Sequence, residues 1–92
     1  MSVKLYMTSV SPNRKISQNT NRIKQVLGSK KIPFEEIDLY KNPDCRNDMM
    51  EKSGNPEILP PQLFNGDTYC GSFEQFDDAL EDGLLLEFLR LK

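Results

Sequence analysis

At 92 residues, with 37% apolar and 28% charged residues, the chain has the composition of one small folded domain (1–92), not of a disordered segment. No apolar run is long enough to cross a bilayer. The absence of histidine removes a His-based relay, and two cysteines without ligand spacing argue against a metal site. The net charge of −2 is unevenly distributed: residues 1–34 hold seven basic groups and no acid, and residues 35–92 hold fourteen acids against five bases. Such a block makes the first helix basic, which is either a solvated face or a site for an anionic ligand or acidic partner. Nucleic acid is not an expected partner, because the basic residues are few and no aromatics interleave them. Two cysteines, Cys45 and Cys70, are too few for a disulfide scaffold, and Met1 to Val10 reads as a strand, not a secretory leader. The expected setting is reducing and cytoplasmic, with the nucleus as a second compartment.

Val3, Leu5 and Met7 alternate with Lys4, Tyr6 and Thr8, the period-two pattern of a strand. Ser11 then offers an N-cap oxygen and Pro12 suits the first helical position. Ile16, Thr20, Ile23, Val26 and Leu27 form an apolar stripe, so a helix is expected to about Leu27, ended by Gly28. Pro33 opens a second strand over Phe34 to Tyr40. Strand–helix–strand units of this length favour a parallel crossover. Asn42 and Pro43 predict the cap and first position of another helix, with Cys45 and Met49 on one face and Gly54 as its stop. After Pro60-Pro61, two strands, Gln62 to Phe64 and Thr68 to Cys70, flank Asn65-Gly66-Asp67, a strong hairpin signal. Ser72 and Gln75 have capping-box spacing, opening a helix with Phe73, Phe76 and Leu80 inward. Gly83 breaks it before a short last helix around Leu85, Phe88 and Leu89. The order β-α-β-α-β-β-α-α predicts a three-layer α/β/α sandwich on a four-stranded mixed sheet, the thioredoxin-fold order.

Along this framework lie Thr8-Ser9-Val10, Gly54-Asn55-Pro56, Pro60-Pro61-Gln62, Asn65-Gly66-Asp67 and Tyr69-Cys70-Gly71. By these segments, spread in order over nearly the whole chain, it closely resembles the short members of the SH3-domain-binding glutamic-acid-rich-like family, a glutaredoxin-related group. The resemblance implies a glutaredoxin-like thioredoxin fold that has lost its redox cysteines. It places Ser11-Pro12-Asn13-Arg14 where a glutaredoxin carries Cys-Pro-x-Cys, with Ser11 on the nucleophilic cysteine and Arg14 on the second one. It puts Pro61 on a cis-proline facing the active site, and Cys70-Gly71 on a Gly-Gly pair near bound glutathione. Ligand-groove candidates are therefore Ser11, Arg14, Pro60, Pro61, Cys70 and Gly71, with no catalytic residue and no metal.

The chemistry left at those positions is limited. A serine hydroxyl has no histidine to serve as its base, so Ser11 is expected to cap a helix. Arg14 is a surface charge or a partner for an anion at the helix start. Cys70 is a small buried hydrophobe or a half-exposed thiol open to glutathionylation. Pro60 lacks the N–H that the matching glutaredoxin residue lends to glutathione. Pro60-Pro61-Gln62-Leu63-Phe64 keeps a Pro-Pro-x-x-Phe pattern, but Ile58 stands where an SH3 ligand needs proline, and the segment is expected to fold into a turn and strand. The leading expectation is a non-enzymatic, cofactor-free, monomeric protein that binds protein partners. One alternative is a weak glutathione-dependent oxidoreductase or glutathione-binding protein; another is an adaptor ligand for SH3 or EVH1 domains. No membrane association is expected.

Overall fold

A computed structural model describes residues 3–10, 13–55 and 59–92. Strand β1 (Val3–Met7) pairs in parallel with β2 (Phe34–Asp38) and antiparallel with β3 (Gln62–Asn65), which in turn pairs antiparallel with β4 (Thr68–Ser72). The sheet order is β2-β1-β3-β4. Alternation along β1 decides which layer each side chain enters. Val3, Leu5 and Met7 join one apolar cluster with Ile23, Val26 and Leu27 of helix α1 (Arg14–Ser29). The same cluster takes Phe76 of α3 (Phe73–Glu81) and Leu85 of α4 (Leu85–Phe88). Tyr6 points the other way, into a smaller cluster with Leu39, Phe64 and Met49 of α2 (Asp44–Ser53). The result is the four-stranded α/β sandwich expected from the element order.

Element ends depart from the expected ones where side chains compete for the same backbone groups. The α1 cap is Asn13, whose extended backbone and Oδ1 acceptor, 2.9 Å from the Lys15 N–H, start the helix at Arg14. Asparagine caps as well as serine. The expected cap Ser11 and first-turn Pro12 lie outside the described residues. At the other end α1 runs through Gly28 to Ser29, and the left-handed conformation falls on Lys31 (φ 58°). Strand β2 stops at Asp38, short of Tyr40, because the Asp38 carboxylate turns back to accept the Tyr40 N–H at 2.9 Å. Asn42 does not cap α2 as expected: its Nδ2 donates to the Asp38 carbonyl at 3.3 Å. Gly54, left-handed at φ 73°, closes α2.

The hairpin forms as its turn sequence demands, with Asn65 opposite Thr68 across Gly66-Asp67 and Gly66 at φ 60°. One irregularity follows. Phe64 faces Tyr69 while Leu63 faces Gly71, so Cys70 is the extra residue of a β-bulge. Tyr69 packs on the α2 side, whereas Cys70 packs with the α1, α3 and α4 cluster. Asn65 fastens the end of α4 to the sheet, its Nδ2 donating to the Leu89 carbonyl at 2.9 Å and the Arg90 carbonyl at 3.2 Å.

Phe64 is fully buried, and its ring centroid lies 4.8 Å from that of Tyr6 and 5.1 Å from that of Tyr69. Truncating such a side chain costs about 3–5 kcal/mol, and each kcal/mol shifts Tm by about 4–8 °C in a domain of this size. Phe64→Ala is therefore expected to lower the melting temperature by more than about 10 °C in a calorimetric or circular-dichroism scan.

Candidate functional site

The parallel strands β1 and β2 finish at one end of the sheet. Because Tyr6 pairs with Gln62 and Gln62 with Ser72, the start of β3 and the finish of β4 lie at that end too. The first turns of α1, α2 and α3 follow from there. Open α/β sheets bind ligands in such crevices beyond the strand ends. A cleft of about 580 Å³ opens at this place. Lys15 and Ile16 of α1 form one wall and Phe73 and Glu74 of α3 another, with Pro60 and Pro61 between them.

The Pro60–Pro61 peptide bond is cis, and both prolines are buried. A short hydrogen-bond relay fixes this turn. The Tyr69 hydroxyl donates to Gln62 Oε1 at 2.7 Å, and Gln62 Nε2 donates to the Leu59 carbonyl at 2.7 Å. Gln62 is only 7% exposed, so both ends of its amide need these partners. Burial pushes the Tyr69 hydroxyl pKa up, helped by the neighbouring Cys70 and Glu74, so it stays a neutral donor.

The loop leading from β1 toward α1 is held from β2. Asp38 accepts the Ser9 N–H at 3.1 Å as well as that of Tyr40. Loss of hydration, the largest influence, pushes the Asp38 pKa up. Hydrogen bonds from the Ser9 hydroxyl and from the Ser9, Tyr40 and Lys41 backbone outweigh it and hold the carboxyl below its ordinary 3.8. At the opposite end of the molecule Lys52 meets Asp67 at 2.8 Å, tying α2 to the hairpin turn. That hydrogen bond raises the Lys52 pKa and lowers that of Asp67.

The six groove candidates separate on this geometry. Pro60 and Pro61 line the cleft. Arg14 is exposed in the first turn of α1, but the residue lining the cleft there is its neighbour Lys15. Ser11 lies outside the described residues. Cys70 and Gly71 are not among the lining residues: alternation turns Cys70, and the bulge turns Gly71, toward the α1, α3 and α4 side of the sheet. Gly71, at φ 155°, sits where a Cβ would meet the Phe88 ring at 2.7 Å and Gln75 Oε1. That oxygen accepts the Ser72 N–H at 3.0 Å in the capping box, so Gly71 answers to packing. Burial pushes the Cys70 thiol pKa up, only partly offset by Arg90 and the Asn65 N–H, which keeps it a thiol. Tyr69 and Gln62 were not among the sequence candidates. Counting pairs outward from the Gly66-Asp67 turn would have found Tyr69 opposite Phe64.

The family model for SH3-binding, glutamic acid-rich protein matches residues 1–92. A Drosophila melanogaster SH3 domain-binding glutamic acid-rich protein homolog is 32% identical over 103 residues, covering 99% of this chain and 65% of that protein. The chain thus spans just under two thirds of that relative's length. Among solved structures, an actin interacting protein of C. albicans superposes with a TM-score of 0.80 at 21% identity, over 99% of this chain and 90% of that one. A buckwheat glutaredoxin–glutathione complex superposes with a TM-score of 0.70 at 14% identity, over 96% and 76%. The fold is that of the glutaredoxins. The chain belongs to the SH3-binding, glutamic acid-rich protein family.

Two outcomes follow from the site geometry. Tyr69→Phe leaves buried Gln62 Oε1 without its donor and should cost about 1–3 kcal/mol, with amide shifts at Leu59 and Gln62 in NMR spectra. Asp38 contributes stability that is complete above the ordinary carboxylate range and is lost as pH falls through its lowered folded pKa. Urea melts at pH 7 and pH 3 should show the drop in stability shrinking in Asp38→Asn.

Proposed function

We propose that this chain is a non-enzymatic, glutaredoxin-like binding module that works through protein–protein contacts as a cytoplasmic monomer. The observation carrying this reading is a cleft at the glutaredoxin site with no thiol in its lining. The sequence has Ser11-Pro12-Asn13-Arg14 at the position of the redox cysteines. Cys45 and Cys70 pack in the clusters on opposite faces of the sheet, so neither supplies a partner for the other. A thiol whose pKa is raised by burial is a poor nucleophile. The family name and the actin interacting structural neighbour both favour a protein as the ligand.

The Pro-Pro-x-x-Phe segment is not the contact on this reading. Pro60 to Phe64 are all buried, and a polyproline ligand must be exposed to dock. Glutathione binding is weak on the same reading. Pro60 cannot donate the backbone hydrogen bond, worth roughly 0.5–1.5 kcal/mol net, and there is no thiolate to anchor the tripeptide covalently.

Purified protein assayed for reduction of a mixed glutathione disulfide should give no turnover above a cysteine-free control. Turnover that disappears in Cys70→Ser would overturn the non-enzyme reading. In an NMR titration, glutathione should bind no tighter than about millimolar, near −4 kcal/mol; micromolar saturation at the cleft would favour a glutathione-dependent role instead.

A further inference from the structure

Next to the cleft, and sharing Ile16 and Pro60 with it, lies a second depression of about 270 Å³. Among the described residues its lining is nearly all apolar: Val10, Ile16, Leu39, Tyr40, Pro43 and Pro60, with Thr8 and one charged residue, Arg46. Val10 is 58% exposed, Tyr40 62%, and Leu59, on the cleft side of Pro60, 59%. These apolar side chains come from three separate loops, those after β1, after β2 and before β3, and they meet at the end of the sheet where the cleft opens. Scattered exposed apolar residues are ordinary, but a contiguous patch at a crevice marks an interaction surface.

Charge selects the occupant. Arg46 borders the depression on one side of the shared Ile16–Pro60 ridge, and Lys15 borders the cleft on the other. Among the described residues the ion pairs are Lys24–Glu36, Lys52–Asp67 and Lys92–Glu87, so no described carboxylate lies within bridging distance of Lys15 or Arg46. Each sits in the first turn of its helix, where a cation opposes the helix dipole and does not help stability. The first turn of α1 has no acid at all. Among the described lining residues Glu74, on the α3 wall, is the one acid.

We infer that this trench docks an extended segment of a partner protein presenting a bulky apolar side chain flanked by carboxylates. The apolar group lies against Tyr40, Pro43 and Ile16, and the carboxylates reach Arg46 and Lys15. The inference rests on the protein-binding reading above and specifies the partner's chemistry.

The test titrates ¹⁵N-labelled protein with three acetylated and amidated peptides: Glu-Glu-Leu-Phe-Glu-Glu, its Gln-flanked counterpart and its Lys-flanked counterpart. The acidic peptide should shift the amides of Val10, Tyr40, Arg46 and Leu59, and bind at least about tenfold tighter than the Lys-flanked one. Tyr40→Glu and Arg46→Glu, both exposed, should each weaken it by about tenfold without lowering the melting temperature. Equal binding of all three peptides at this face would overturn the inference while leaving a protein-binding module intact. Shifts confined to α4, or no binding by any peptide, would also overturn it. Turnover in the disulfide assay would instead strike at the underlying reading.

Discussion

Strand β3 buries all four of its side chains, and both layers of the sandwich hang on that fact. Leu63 enters the cluster under α1, α3 and α4, and Phe64 enters the cluster under α2. The α2 side is the thinner of the two. Met49 is the only buried residue of α2, and the tilted stack of Tyr6, Phe64 and Tyr69 forms the aromatic part of that layer beside Leu39 and Met49. Aromatic pairs at such separations add to their area burial. Pro61 stands just before the strand, where a missing N–H costs no ladder bond. Gln62, the next residue, then ties the turn to Tyr69 of the neighbouring strand. Gln62 and Tyr69 thus serve both the cleft lining and the strands around Phe64.

The bulge at Cys70 separates two tasks that the hairpin would otherwise mix. Regular alternation from Tyr69 would send Gly71 to the α2 face. The extra residue instead leaves Gly71 beneath Phe88 and Gln75, where only a glycine fits. Tyr69 stays on the α2 face and lines the cleft, while Cys70, one residue on, packs on the opposite face with Leu63. The bulge thus serves the packing of α4 on the sheet, and simple alternation keeps the thiol off the Tyr69 face.

Signals that are local in sequence were legible without the structure. The Asn65-Gly66-Asp67 turn, the Ser72–Gln75 capping box and the Gly54 stop each involve residues within a few positions, with side-chain preferences strong enough to decide the outcome. The family resemblance also placed the cis-proline. Contacts across the sheet were not legible. Asp38 ends β2 because it serves Ser9, 29 positions away, as well as Tyr40. Asn13 and Ser11 are equally good caps, and propensity cannot rank them. The bulge depends on how Leu63 and Phe64 pair, which no single strand reveals. Hence the cleft's position was readable, and the identity of most of its lining was not.

Electrostatics adds a last step to this picture. In a thiol enzyme of this fold the start of α1 lowers the pKa of a cysteine, because the positive end of the helix dipole stabilises a thiolate. Here the sequence has no ionisable thiol at that position, and the first turn of α1 carries Arg14 and Lys15. Cations there repel the dipole by about 0.3–1 kcal/mol each, so the fold gains nothing from them. The positive potential of the helix start is strengthened by these exposed cations and left open to solvent. On the reading proposed above, that unspent potential is what an external carboxylate meets, beside an apolar trench whose Tyr40 and Val10 have no core to join.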